Sequence, residues 1–169
     1  AMDGTTYITQ PPVKNGETFT YSFTAQSTPA VGMYHSHHNA VHQIPDGLAG
    51  TILVGRLPVP AGVTVSQRHN MMVNDAGVIG FAINGKSFPA TAPVVAKQGE
   101  WIEVNYLNEG VMAHPMHMHG GFMTVIAKDG LALDSPYWAD TVLVGPGERY
   151  TVLIHADVPG TWVWHCHIL

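Results

Sequence analysis

The chain has 169 residues, with 12 acidic and 7 basic side chains, a formal charge of −5 and a single cysteine. A net negative balance gives no support for binding nucleic acid or an anionic membrane surface. No apolar run reaches the length of about 18 residues that a membrane-spanning helix needs, and one thiol excludes an internal disulfide. With 18 glycines, 12 prolines and only 11% charged residues, turns should be abundant and long solvated helices absent.

Taken in order, the chain reads as short strands separated by turn signals, the pattern of an all-β sandwich. Residues 18–25, 32–37 and 50–54 are predicted strands of a first unit, and Leu57-Pro58-Val59-Pro60-Ala61-Gly62 is the linker that follows. Strands are then expected over 70–74, over 81–83 before an Asn84-Gly85 turn, and over 101–107. Further strands fall over 123–127 before Asp129-Gly130, over 141–144 and 149–155, and from Thr161 to the end. The second unit, 61–169, has about the hundred residues that one Greek-key sandwich needs. The first, 1–60, is too short to close one, so further chain is expected before it.

The two units repeat. Lys14-Asn15-Gly16-Glu17-Thr18-Phe19-Thr20 matches Gly145-Pro146-Gly147-Glu148-Arg149-Tyr150-Thr151, and Gly32-Met33-Tyr34-His35-Ser36-His37 matches Gly160 with Trp162 to His167. Each ends in His-X-His, with Ser36 in the first and Cys166 in the second. Alternate residues of a strand face opposite ways. Trp162, Trp164 and Cys166 therefore point to one side, and Val163, His165 and His167 to the other. One strand can thus present a thiolate behind and two imidazoles in front, and sulfur with imidazole suits a copper electron-transfer site. The third cluster is His114-Pro115-Met116-His117-Met118-His119-Gly120-Gly121. If it is extended, His117 and His119 join the front site and His114 joins Cys166 behind. His38, His42, His69 and His155 stay outside this scheme as ordinary solvated or hydrogen-bonding side chains.

These motifs resemble the copper motifs of multicopper oxidases, the group that includes laccases. The resemblance extends through Met2-Asp3-Gly4, Thr9-Gln10-Pro11-Pro12 and Gly47-Leu48-Ala49-Gly50-Thr51-Ile52, and so covers nearly the whole chain. It implies cupredoxin-like domains and a copper-dependent oxidase. Such an enzyme takes single electrons from a small-molecule donor (a phenol, an aromatic amine or a metal ion) and reduces dioxygen to water. By matching position, His114 and Cys166 are type 1 copper ligands. His117 binds the type 2 copper, and His35, His37, His119, His165 and His167 bind the type 3 pair. Asp3 matches an acidic residue that assists proton delivery, or else simply forms a turn before Gly4. Asp140 is a candidate hydrogen-bond partner for a ligating imidazole. An extracellular or periplasmic location is implied by the resemblance alone.

The departures from the family pattern are informative. Six of the eight histidines of the family's three-copper cluster are present, and the type 1 site lacks its usual second His and axial Met. A partial sequence, missing both ends, is therefore expected. Where some relatives place an acid after His-Cys-His-Ile, this chain has Leu169. The direct passage from first to second unit resembles the two-domain type, which implies head-to-tail trimers in which neighbouring subunits share the cluster. Met112, Met116, Met118 and Met123 surround the histidine motif as core residues or soft Cu(I) ligands. Two rival functions are a copper nitrite reductase, whose type 1 Cys would sit where Ser36 does, and a non-catalytic copper-binding or resistance protein.

Overall fold

The computed structural model describes residues 3–168. Its strands are β1 (Ala30–His35), β2 (Ala49–Val54), β3 (Val65–Ala76), β4 (Gly80–Ile83), β5 (Trp101–Asn108) and β6 (His114–Met118). They continue with β7 (Met123–Lys128), β8 (Leu131–Ala139), β9 (Thr141–Val144), β10 (Arg149–His155) and β11 (Trp164–Cys166). A single helical turn, α1 (Ala40–Gln43), follows β1. The strands form a six-stranded sheet in the order β4-β3-β5-β10-β7-β8, a three-stranded sheet β11-β6-β9, and the separate pair β1-β2.

The fold is the expected all-β, cupredoxin-like sandwich. Its main core lies between the six-stranded and three-stranded sheets. Ile102, Val104 and Tyr106 of β5, Met123 and Val125 of β7, and Val152 and Ile154 of β10 meet Met116, Val142 and Val144 from the smaller sheet. Alternate residues of the same strands face the other way. Leu107, Ile126, Ala127 and Leu153 pack with Val31 of β1 and Leu57 of the linker. The six-stranded sheet is therefore covered on both faces, which is why Ile102–Asn108 is buried without interruption instead of alternating. Asn105, a polar residue inside it, is paired across the ladder on both sides. Asn105 donates from Nδ2 to Asn70 Oδ1 at 2.9 Å and accepts from Thr151 Oγ1 at 2.7 Å.

Two differences from the expected elements have clear causes. Residues 18–25 form no ladder in the described chain, and Phe19, Tyr21 and Phe23 of their alternating pattern stand exposed. Alternation supplies a face, but a strand also needs a neighbour to pair with. Conversely, β8 runs through Leu-Ala-Leu-Asp-Ser-Pro-Tyr-Trp-Ala, where the acid and the proline hide a strand pattern. It is tolerated because β8 is the sheet's edge, where a missing N–H costs no ladder bond. The Asp129-Gly130 turn before it has φ of 49° and 84°, as a tight two-residue hairpin requires. Gly130 also lies against the backbone of Val31, leaving no room for a Cβ, and accepts that residue's N–H at 3.2 Å. This contact ties β1 to the main sheet.

The internal repeat is visible as a repeated turn. Glu17 accepts from Lys14 N at 3.1 Å, and Glu148 accepts from Gly145 N at 2.9 Å, each across a glycine with φ near 80° (Gly16 at 80°, Gly147 at 77°).

Candidate metal centre

Register decides which side chains can meet. In the β11–β6 pair, Trp164 lies opposite Met118, His165 opposite His117 and Cys166 opposite Met116. Two further bonds carry the pairing past both ends of β11. His119 N donates to Val163 O at 2.9 Å, and His167 N donates to Pro115 O at 2.7 Å. Directly opposed residues share a face of a sheet, so His117, His119, His165 and His167 stand on one side. Cys166 and His114 stand on the other, as diagonal neighbours. The two-sided parity expected from the sequence is thus the observed one from Trp164 to His167. Trp162, expected on the Cys166 side, precedes the strand and stands exposed, its Nε1 donating to Val158 O at 3.0 Å.

On the front face the four rings converge. Centroids of His117 lie 4.9 Å from His119, 5.6 Å from His165 and 5.6 Å from His167, and His165 and His167 are 5.5 Å apart. Ligand atoms of His117, His119 and His165 all fall within 4.8 Å of one another. Hydrogen bonds fix the tautomers. His117 Nδ1 contacts Asp140 O at 2.9 Å and Thr141 Oγ1 at 3.1 Å, and His165 Nδ1 contacts Cys166 O at 2.8 Å. A carbonyl can only accept, so Nδ1 carries the proton and Nε2 is left bare in both rings. Nε2 of His165 lies 3.3 Å from Nε2 of His119, a separation that calls for a proton or a cation between them. These residues fit a metal.

On the back face, Cys166 and Trp164 pack against the main core, and His114 is buried. His114 Nε2 lies 2.7 Å from Asp75 Oδ2, leaving Nδ1 as its free ligand atom. Asp75 itself escaped the sequence reading. It sits 39 residues from His114 on another strand, and its only signal is a lone carboxylate ending the run Met71-Met72-Val73-Asn74. Burial opposes ionisation of Asp75, but N–H groups of Val111 and Met112 and the His114 ring outweigh it and hold the carboxyl below its usual range.

His35 and His37 form their own pair, with centroids 6.3 Å apart. Among the described residues neither ring contacts the front quartet, so one chain does not bring all six imidazoles together. His35 Nδ1 nevertheless contacts Ser36 O at 2.9 Å, repeating the His165–Cys166 contact and leaving Nε2 bare. The Ser36 hydroxyl is bonded to Gln43 and accepts from His38 N at 3.2 Å.

The remaining expectations divide. Asp140 does partner a candidate ligand, but through its backbone carbonyl and not its carboxylate. Met116 and Met123 are buried core residues, and Met123 Sδ accepts from Tyr106 Oη at 3.2 Å. Asp3 is exposed, and Thr5 Oγ1 donates to it at 3.4 Å. Hydroxyls of Thr9 and Thr5 hold its carboxyl below the usual value, and no hydrogen bond joins it to a candidate ligand. Met2 and Leu169 lie outside the described residues.

Comparison with known proteins agrees with this geometry. Residues 55–169 and 1–58 each match a family described as multicopper oxidase. The structure of the multicopper oxidase mgLAC is 38% identical, with a TM-score of 0.90 over 99% of this chain and 58% of that one. The blue copper oxidase of Nitrosomonas europaea is 34% identical, with a TM-score of 0.89 over the same shares. Copper resistance protein A of Escherichia coli is 33% identical over 89 residues, which are 53% of this chain and 14% of that protein. The chain therefore spans little more than half of these solved structures and a small part of that curated relative. Placed beside two sets of imidazoles and a half-buried thiol, these matches show that the chain belongs to the multicopper oxidase family, whose members use copper.

Proposed function

We propose that this chain supplies two faces of a laccase-like copper oxidase. His114 and Cys166 are ligands of a type 1 copper behind β11. His117 is a ligand of the type 2 copper, and His35, His37, His119, His165 and His167 are ligands of the type 3 pair. When bound, copper supplies one-electron redox chemistry at the thiolate and the site where dioxygen is reduced. The protein's part is to hold thiol and imidazoles on opposite sides of one strand, linked covalently because His165 and His167 flank Cys166. Neither acid, base nor nucleophile is needed where the donor gives up its electron, so a phenol, an aromatic amine or a metal ion suits the site. The observation that carries this reading is the opposite facing of Cys166 and the four front rings.

The separation of His35 and His37 from that quartet favours a shared site between subunits of a head-to-tail trimer. Exposed apolar side chains flank both histidine sets in sequence: Phe122, Val163 and Ile168 beside the quartet's motifs, and Tyr34, Val41 and Leu48 beside the pair's. The Asp3 carboxyl, carried on the same unit as His35 and His37, is assigned to proton delivery. An extracellular or periplasmic setting fits the relatives. A nitrite reductase would need a thiol at position 36, where the hydroxyl is engaged by Gln43. The test is oxygen uptake by the full-length, copper-loaded protein given a phenolic donor. Steady uptake with water as product is the expected result. Copper binding with no uptake from phenolic, aromatic amine or ferrous donors would make the protein a copper carrier instead.

A further inference from the structure

We propose that Asp75 is a positioning residue for the type 1 site: its carboxylate holds His114 in the one tautomer and orientation that leaves Nδ1 free for copper. This inference rests on the assignment of His114 as a ligand and adds the group that prepares it. The Asp75 side chain is fully buried and that of His114 is 5% exposed, with Oδ2 and Nε2 2.7 Å apart. A buried carboxylate of this kind accepts only, so the proton must sit on Nε2. The same carboxylate accepts from Val111 N at 3.0 Å (Oδ1) and Met112 N at 2.9 Å (Oδ2). It thereby fixes the turn that delivers His114 to the start of β6.

Three neighbouring features are built around this contact. A side chain on Gly110 would collide with Asp75 Oδ2, so the carboxylate occupies space that only glycine leaves. Asn108 closes the loop from its other side, accepting from Gly110 N at 2.8 Å and donating to Met112 O at 2.7 Å. Asn74 Oδ1 accepts from Asp75 N at 2.9 Å and Ala76 N at 3.3 Å, steadying the end of β3. An anion hydrogen-bonded to a ligating imidazole also raises the ring's basicity and favours the higher charge of the metal it binds. Replacing the acid by its amide changes both properties. In the D75N variant the amide nitrogen replaces either Oδ2, presenting NH2 to both Nε2 and Met112 N, or Oδ1, presenting it to Val111 N. In the first arrangement Nε2 could act only as an acceptor and the proton would move to Nδ1, where copper must bind. In the second a backbone donor is opposed and the turn that carries His114 is disturbed.

The experiment uses the full-length protein and has two arms. In the metal-free wild type, 15N NMR of the His114 ring should show Nε2 protonated and Nδ1 bare. Protonation at Nδ1 in the wild type overturns the inference without any variant. In the copper-loaded protein, Asp75→Asn should weaken type 1 copper binding about 10- to 100-fold. It should also raise the reduction potential of any blue copper that remains, with the front-face coppers still present. An unchanged affinity and potential in a folded, blue D75N protein overturns the role of Asp75 alone. A wild-type protein that binds copper but has no blue band overturns the type 1 assignment itself, whatever the tautomer of His114.

Discussion

His117 and His165 face each other across the β6–β11 pair, one residue away from the Met116–Cys166 pair in the same register. That single step along the ladder turns the side chains over, so imidazoles and thiol are neighbours in sequence and opposed in space. A slip of one residue would place Cys166 among the front rings and His165 in the core, destroying both halves of the centre together.

Cys166→Ser separates the halves without moving the strand. The blue absorption of Cys-bound Cu(II) should vanish and oxygen uptake should fall to background, while copper held by the front histidines remains detectable by EPR. A serine variant that kept the blue band would remove Cys166 from the type 1 site.

A site shared between subunits predicts complementation. His37→Ala and His119→Ala should each abolish oxygen uptake when expressed alone. Co-expressed, the two variants should regain part of the activity, because some interfaces pair an intact first-unit face with an intact second-unit face. No recovery in a verified mixed oligomer would place the whole cluster within one chain.

Tyr106 tests the packing beneath the thiol strand. It is fully buried, and its hydroxyl accepts from Trp164 Nε1 at 2.7 Å while donating to Met123. Tyr106→Phe strands the indole N–H two residues from Cys166 and should cost about 1–3 kcal/mol in chemical denaturation. A smaller loss would mean that water reaches the indole.

The Lys128–Glu148 pair is a surface source of acid sensitivity. Lys128 Nζ bonds Glu148 Oε1 at 2.8 Å, and Gly145 N bonds its other oxygen. Lys128 first, then the Gly145 amide, holds the Glu148 carboxyl below its normal value. A group depressed on folding stabilises fully above its unfolded pKa of about 4.3, and the gain is lost as pH falls through the lower folded value. The pair is partly exposed, so the gain is under about 1 kcal/mol. Glu148→Gln should therefore be less stable than wild type by a constant margin above pH ~5, a margin that closes below it. A margin that widened in acid would contradict this.

How far the sequence could be read follows from what each feature depends on. The parity of His165, Cys166 and His167 is local and needs only an extended backbone. The facing of His117 needs one register, which three clustered motifs constrain strongly. Strand 18–25 failed because pairing depends on a neighbour that its own residues do not name. β8 was missed because an edge strand tolerates the proline and acid that disguise it. Asp75 was invisible because its meaning comes from a fold that brings β3 beside the loop before β6. Asp140 was the right residue with the wrong atom, since a backbone carbonyl leaves no trace in side-chain identity.

Copper stoichiometry and visible absorption of the full-length protein, wild type beside Cys166→Ser, test the central claim most directly. The account predicts a blue wild type with one type 1 copper and three further coppers for each cluster, and a colourless variant lacking only the first. A colourless wild type, or loss of all copper from the variant, would contradict the two-sided strand as the basis of the site.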